Sequence, residues 1–291
     1  MNETLKNRFG GCYIATVTPF NTAGSLDKVQ IAAQARWLIE SGVAGLCPAG
    51  TTGEFLYLSH DEKRYLVEHT VNAAEGKVPV VAGIWALTTA EVSDLARNAE
   101  ACGADGIFLP PPIYYPADDE SIYRWYASIR EASELPLFAY NIPQYAANSI
   151  SIACLDRLFS DGVIAGVKDS TGKTDRVSEL VSSFSHRGVV FAASDGFASE
   201  GRRLGADGFI SAIGNIAPSI FAQLWAGDDS LQPRVDAIRS ALKRIGSIPA
   251  IKYLLTINGF PFGESRIPCS SLTTEQKSAL DELNKAIGVG F

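Results

Sequence analysis

One lysine of this chain, Lys168, ends a short apolar segment. Residues 163–168 read VIAGVK, and the five apolar or small residues before the lysine predict a buried strand. Burial disfavours the ammonium form of a lysine and lowers its pKa, because the charge loses its hydration. A neutral amine can attack a ketone to form an imine, which acts as an electron sink for an adjacent carbon–carbon bond. Lys168 is therefore a candidate nucleophile, and Gly166, on the same strand face, would leave room beneath its amine.

A structural ion pair is the alternative role for Lys168. Asp169 follows it directly, and Asp195 is predicted to follow the next strand, so either carboxylate could neutralise the lysine. Tyr140 favours the chemical role, because it is predicted to end the adjacent strand, where its phenol could transfer a proton to or from a substrate oxygen. A core tyrosine with a satisfied hydroxyl is the other interpretation of Tyr140.

The segment TTGE, residues 51–54, follows the second predicted strand. Thr51 and Thr52 supply two adjacent hydroxyls, and the glycine makes the backbone flexible, so the segment suits a carboxylate ligand. The same residues are also typical of an ordinary loop.

Metal and triad chemistry have little support in the sequence. A catalytic zinc site needs two or three histidines near strand ends, but His60, His69 and His186 fall in or beside predicted helices. No GxSxG motif occurs, and no histidine is predicted at the strand ends for a serine or cysteine triad. The cysteines are odd in number, scattered and without a CxxC motif, which favours buried apolar roles over disulfides or zinc. We therefore expect no metal site.

The elements that must position these residues alternate along the chain. Eight short apolar segments predict strands, at 12–17, 43–47, 79–84, 106–109, 136–140, 163–168, 189–193 and 208–212. Amphipathic segments with a 3.6-residue period predict helices between them, at 26–41, 59–75, 89–102, 118–134, 173–185 and 197–204. Alternating strands and helices imply a parallel sheet, and eight such units predict a (β/α)8 TIM barrel of the α/β class. In that fold the carboxyl ends of the strands carry the chemistry, which is where Lys168, Tyr140 and the TTGE segment would lie.

Length and composition fit one such barrel. We expect a catalytic barrel core over residues 1–216, with the last barrel helix and a C-terminal helical extension over 217–291. The net charge of −7 and the absence of a basic run argue against nucleic acid or an anionic membrane as a partner. No signal peptide and no apolar span of membrane length are evident, so a cytoplasmic location is expected. The expected partner is a small molecule.

Three motifs give the chain a specific resemblance. GTTGE at 50–54, YNIP at 140–143 and GVKDS at 166–170 make it similar to the dihydrodipicolinate synthase/N-acetylneuraminate lyase family of pyruvate-dependent class I aldolases. The resemblance implies that Lys168 forms the imine with pyruvate or another 2-keto acid, without any other cofactor, and that Tyr140 transfers protons. It also implies that Thr51 and Thr52 bind the pyruvate carboxylate, with Thr52 joining the proton relay.

The resemblance extends to the subunit interface and to the rest of the pocket. Tyr114 matches a tyrosine that family members insert into a neighbouring subunit's site, which implies a dimer or a dimer of dimers (a homotetramer). Ile210 falls where a backbone carbonyl of the eighth strand lines the site. Asp195 and Ser211 match positions that bind substrate hydroxyls in the sugar-acid lyases of the family.

Departures from the family pattern bear on the substrate. Dihydrodipicolinate synthases carry an arginine for the carboxylate of aspartate semialdehyde where this chain has Tyr145, and a tyrosine cannot supply that bidentate cation. Trp85 stands where relatives have a small residue. We therefore expect a lyase that cleaves or forms the C3–C4 bond of a 2-keto-3-deoxy sugar acid. The alternatives are 4-hydroxy-tetrahydrodipicolinate synthase, a sugar-acid dehydratase of the same family, and a non-catalytic barrel that binds keto acids.

Overall fold

A ring of eight parallel strands forms the centre of the computed structural model, which describes residues 2–269 and 271–287. The strands are β1 Gly11–Ala15, β2 Gly45–Cys47, β3 Val81–Gly83, β4 Gly106–Leu109, β5 Leu137–Asn141, β6 Gly166–Asp169, β7 Val189–Ala192 and β8 Gly208–Ser211. They are paired in the order β2-β1-β8-β7-β6-β5-β4-β3. Between β2 and β3 the Leu46 N–H donates to the Pro79 carbonyl at 3.0 Å, and the Gly83 N–H donates to the Pro48 carbonyl at 2.9 Å. The predicted (β/α)8 barrel is confirmed.

Helices surround the ring and continue beyond it. They are α1 Asn2–Phe9, α2 Lys28–Glu40, α3 His60–Ala74, α4 Thr89–Ala101, α5 Asp119–Arg130, α6 Pro143–Ala146, α7 Ile152–Ser160, α8 Thr174–Phe184, α9 Ala198–Arg203, α10 Pro218–Ala226, α11 Gln232–Ile245, α12 Ser247–Ile257 and α13 Thr274–Ile287. Side-chain hydrogen bonds determine where some of these helices begin. Ser59 forms a capping box with Glu62 at α3, and Thr88 forms one with Glu91 at α4. Within the described ranges, no helix has the length and apolar character that crossing a bilayer requires.

The C-terminal helices pack onto the outside of the barrel. Leu280 of α13 is fully buried in the same apolar cluster as Leu242 of α11 and Ile251 of α12. The predicted division into 1–216 and 217–291 stays a prediction. Residues 1, 270 and 288–291, which belong to those ranges, lie outside the described residues.

Alternation along the strands separates an inner core from an outer one. Inside the ring the aromatic side chains of Tyr13, Phe108, Phe138 and Phe191 pack mainly edge to face or tilted, with ring centroids 5.2 to 5.6 Å apart. Phe9 of α1 packs against Phe138 from the amino-terminal side of the strands, with the two ring centroids 5.1 Å apart. This aromatic layer fills the lower barrel.

Gly166 permits that filling. A Cβ atom at this position would lie 2.3 Å from the Val189 carbonyl oxygen and 2.8 Å from the Phe138 ring, so any larger residue would clash. The room that the sequence predicted beneath Lys168 is therefore occupied by the Phe138 ring. Space for a ligand lies above Lys168, toward the carboxyl ends of the strands.

Candidate active site

Lys168 lies inside the barrel, near the end of β6. It is directly opposite Tyr140 in the register of β5 and β6, and both residues are 8% exposed. The Lys168 Nζ atom lies 3.8 Å from the centroid of the Tyr140 ring and 5.4 Å from that of Phe108. Among the described residues, no carboxylate forms an ion pair with this amine and no acceptor forms a hydrogen bond with it. The amine contacts aromatic faces instead.

The two carboxylates considered as partners of Lys168 are engaged elsewhere. Asp169 follows Lys168 in the strand and therefore points to the opposite face. There its carboxylate accepts from Asn141 Nδ2 at 2.7 Å and from the Thr171 N–H at 2.9 Å, with Arg176 Nε at 3.5 Å. Asp195 accepts from Ser211 Oγ at 2.5 Å.

A cavity of about 370 Å³ opens at the carboxyl ends of the strands, above Lys168. Lys168, Tyr140, Thr51 and Cys47 are among the residues at its surface. Burial raises the pKa of the Cys47 thiol to about 12, although Lys168 opposes the shift, so this thiol is protonated at neutral pH and is a poor nucleophile. Lys168 stays the candidate nucleophile among the residues that line the cavity.

The loop after β2 supplies Thr51 to this cavity. The Gly53 N–H donates to the Gly50 carbonyl at 3.0 Å, and the Glu54 N–H donates to the Thr51 carbonyl at 3.2 Å, so the segment is a tight turn. Thr18 Oγ1 donates to the Gly53 carbonyl at 2.6 Å and attaches the turn to the chain after β1. Thr52 is buried at 9% exposure and is not among the residues that line the cavity.

A buried ion pair anchors the same loop to the C-terminal helices. Lys252 Nζ of α12 lies 2.9 Å from Glu54 Oε1, and their side chains are 2% and 0% exposed. The other carboxylate oxygen accepts from the Arg266 N–H at 3.0 Å. The pair holds the Glu54 side chain, and with it the end of the Thr51 turn, in one position.

The Tyr140 hydroxyl has a partner that the sequence did not indicate. Ser170 Oγ lies 3.4 Å from it, and within the described ranges no threonine and no tyrosine hydroxyl is bonded to it. The structure therefore brings Tyr140, Lys168 and Thr51 together around one cavity. The relay from Tyr140 through Thr52 and Tyr114 stays a prediction.

Tyr114 lies on the surface beyond the cavity lining. It is 80% exposed, and its ring packs edge to face against Tyr115 at 5.1 Å. Its φ of 76° is uncommon for a residue with a side chain and is held by the surrounding loop. The predicted role of Tyr114 in a neighbouring subunit's site stays a prediction.

Asp195, Ser211 and Ile210 also lie outside the cavity lining. Ser211 is fully buried, donates to Asp195, and accepts from the Gly214 N–H at 2.8 Å. Burial raises the pKa of Asp195 to about 6, although the hydrogen bond from Ser211 opposes the shift. Ile210 packs its side chain in the inner core with Phe191. The substrate contacts predicted for these three residues stay predictions.

Most of the cavity wall consists of residues that the sequence did not single out. Phe55, Leu56, Ile113 and Ile142 line it together with Trp85 and Tyr145. Apolar residues of this kind give no chemical signal in the sequence. Lys252, which holds the Glu54 loop, could have been found, because a lysine within the apolar run AIKYLL indicates a buried charge that needs a partner.

Among the residues that the structure describes, no group of three metal-ligating side chains is close enough to hold an ion.

Comparisons with known proteins show the family and the fold. The model of the dihydrodipicolinate synthetase family matches residues 8–287. A 4-hydroxy-tetrahydrodipicolinate synthase of Methylobacterium radiotolerans is 34% identical, and the match covers 99% of both chains. The chloride-inhibited dihydrodipicolinate synthase of Acinetobacter baumannii in complex with pyruvate superposes with a TM-score of 0.90 at 29% identity, covering 97% of this chain and 99% of that one. The sialic acid aldolase of Ruminococcus gnavus has the same fold, with a TM-score of 0.92 at 24% identity and 97% of each chain covered.

Proposed function

The chain belongs to the dihydrodipicolinate synthetase family of lyases, and we propose that it makes or breaks a carbon–carbon bond of a 2-keto acid through an imine on Lys168. The reaction is that of a class I aldolase, with pyruvate as the keto acid formed or consumed. The A. baumannii relative was solved with pyruvate, which supports pyruvate as the ligand here.

One observation carries the assignment of Lys168. Three lysines are buried among the described residues, and two of them have polar partners. Lys63 Nζ donates to the Trp85 carbonyl at 2.9 Å, and Lys252 Nζ pairs with Glu54. Lys168 alone of the three presents an amine without such a partner to the cavity. An amine that is free of a carboxylate can lose its proton and attack a ketone.

The mechanism uses groups that meet in the cavity. The Lys168 amine adds to the ketone carbon and a water molecule leaves, which gives the imine. In the cleavage direction the C4 hydroxyl loses its proton to Tyr140, the C3–C4 bond breaks, and its electron pair remains on C3 as an enamine. An aldehyde leaves, C3 takes up a proton, and water hydrolyses the imine to release pyruvate. We place the pyruvate carboxylate against Thr51, with Thr52 and Tyr114 as the further members of the relay.

The aldehyde partner defines the candidate substrates. The sequence favoured a 2-keto-3-deoxy sugar acid, through Asp195 and Ser211. The names of the relatives favour aspartate semialdehyde, the 4-hydroxy-tetrahydrodipicolinate synthase reaction, as the second candidate. Tyr145 weighs against that candidate, since it lines the cavity where a cation would be needed for the second carboxylate. A dehydratase would use the same imine.

Self-association is part of the proposal. Tyr114 and Tyr115 are 80% and 75% exposed and pack against each other, and an exposed patch of large apolar side chains commonly marks a protein interface. We propose a dimer or a dimer of dimers in which Tyr114 enters the site of the neighbouring subunit.

Borohydride reduction in the presence of pyruvate tests the function. We expect one reduced pyruvyl group per chain by intact mass, and peptide mapping should place it on Lys168. Lys168→Met should abolish the adduct. Lys63→Met is the matched control, because it removes another buried lysine, and it should retain the adduct. An unmodified chain would favour the non-catalytic keto-acid-binding barrel, and an adduct on Lys63 or Lys252 would refute the role of Lys168.

A further inference from the structure

The cavity above Lys168 has a polar base and an apolar wall. Lys168, Tyr140 and Thr51 provide the polar groups that a keto acid needs. The rest of the surface is formed mainly by Phe55, Leu56, Trp85, Ile113, Ile142 and Tyr145. Its volume of about 370 Å³ lies within the roughly 300–1,000 Å³ of sites that bind whole small molecules. The cavity is therefore larger than pyruvate needs, and its additional surface is apolar.

Few polar groups are available to the part of the substrate beyond the keto acid. The Glu54 carboxylate reaches the lining, but Lys252 Nζ and the Arg266 N–H already occupy it. Asp195 and Ser211 bond to each other outside the lining. Tyr57, Tyr145 and Trp85 also line the cavity, but they carry only one polar side-chain atom each. The several hydroxyls of a sugar chain would lose more hydration here than these groups replace, and each buried hydroxyl without a partner opposes binding.

An aldehyde that carries a carboxylate would find no better partners in the cavity than a sugar aldehyde. Of the cavity-lining residues that the structure describes, Lys168 is the only basic one, and the imine consumes its amine. A second carboxylate would therefore lie against the Tyr145 and Trp85 rings without a cation.

The wall presents aromatic side chains from three separate segments of the chain. Trp85 is 8% exposed, and Phe55 packs against it edge to face at 5.1 Å. Lys63 Nζ fixes the Trp85 backbone by its hydrogen bond to the carbonyl. Tyr145, 73% exposed, adds a ring at the mouth of the cavity. Fixed aromatic side chains of this kind bind aromatic ligands by stacked or edge-to-face contacts.

We propose that the aldehyde half of the substrate is aromatic, so that the enzyme makes or cleaves 4-aryl-4-hydroxy-2-oxobutanoates. The proposal rests on the Schiff-base function given above. In the forward direction the pyruvate enamine attacks the aryl aldehyde carbon through C3, and the new bond takes the enamine electron pair. The aldehyde oxygen takes up a proton from Tyr140, and water then hydrolyses the imine.

The test is a panel of benzaldehyde, glyceraldehyde and aspartate semialdehyde, each offered with pyruvate, with kcat/KM measured by product formation. We expect benzaldehyde to be preferred by at least about tenfold, the lower end of what a matched apolar pocket supplies. Tyr145→Arg should lower kcat/KM for benzaldehyde and raise it for aspartate semialdehyde. Phe55→Ser should lower it for benzaldehyde more than for glyceraldehyde.

Val29→Ser is the matched control, since Val29 is an exposed apolar residue of α2, 63% exposed and outside the cavity lining. It should leave all three values unchanged. Borohydride trapping of pyruvate is run on every protein, because it reports imine formation independently of the aldehyde. Loss of trapping in the wild type would refute the proposed function. Intact trapping with a preference for glyceraldehyde or aspartate semialdehyde, or with no turnover of benzaldehyde, would overturn the aromatic proposal alone.

Discussion

Lys252→Met tests whether a buried ion pair stabilises the loop that carries Thr51. Lys252 Nζ lies 2.9 Å from Glu54 Oε1, donates to the Glu264 carbonyl at 3.2 Å, and lies 4.2 Å from the centroid of the Phe20 ring. Methionine resembles lysine in length but carries no charge, so the change removes the cation and keeps most of the packing. It leaves the Glu54 carboxylate buried with the Arg266 N–H as its remaining donor.

The size of the effect follows from burial. Removing one partner of a buried pair costs roughly 3–5 kcal/mol, because the other charge stays in the interior without compensation. The pair Lys77–Glu75 has nearly the same separation, 2.8 Å, but its side chains are 59% and 54% exposed. Water screens an exposed pair, which therefore contributes little to stability, so Lys77→Met is the matched control. The two substitutions are chemically identical and differ in the burial of the pair.

Urea unfolding followed by tryptophan fluorescence, at one fixed protein concentration, measures both variants. Adding Glu54→Gln to Lys252→Met should recover about 1–2 kcal/mol, since it removes the uncompensated charge. The reasoning is refuted if Lys252→Met costs no more than Lys77→Met, or if adding Glu54→Gln does not reduce its cost.

Two further predictions concern the site and its surroundings. Tyr140→Phe should lower turnover by a factor of about 10²–10⁴, the usual contribution of a positioned proton donor. Borohydride should still trap pyruvate on Lys168 in this variant. An equal loss of trapping would contradict a role of Tyr140 in proton transfer. Burial raises the pKa of Asp195 in the folded state from 3.8 to about 6, so the folded protein favours the protonated carboxyl group. This contribution to stability is fully present below pH 4 and is lost as the pH rises through 6. Asp195→Asn removes the titrating group, so its effect on the free energy of unfolding should be more favourable at pH 8 than at pH 4, by up to about 3 kcal/mol. Urea unfolding at the two pH values measures this difference. An effect that does not change with pH would count against burial of the Asp195 charge as its cause.

The fold could be predicted because its signals are local. All eight predicted strands are present, and their ends differ from the prediction by up to about three residues, since the apolar runs continue past the paired backbone. Helices α1, α6 and α7 were not among the predicted segments. Helix α1 is mostly polar, and it contributes Phe9 and the partly buried Leu5 to the inner core, which its sequence pattern does not indicate.

The site could be predicted in part. Tyr140 and Lys168 each lie one residue before the end of adjacent strands, so the predicted strand order placed them side by side. Glu54 and Lys252 are 198 residues apart in the chain, and their pairing depends on how α12 packs against the β2 loop. The same holds for the wall formed by Phe55 and Trp85, which come from different loops. Contacts of this kind follow from three-dimensional packing and leave no trace in spacing.

The three buried lysines differ in the groups that their amines contact. Lys252 has a carboxylate, and Lys63 has a carbonyl, so both amines are held by polar partners. The role proposed for Lys168 requires a neutral amine, which a neighbouring carboxylate would disfavour. Aromatic faces attract a cation by only about 0.5–2 kcal/mol, less than the roughly 3–5 kcal/mol at stake in a buried ion pair. The Tyr140 and Phe108 rings therefore contact the Lys168 amine more weakly than a buried carboxylate would, which fits the role proposed for it.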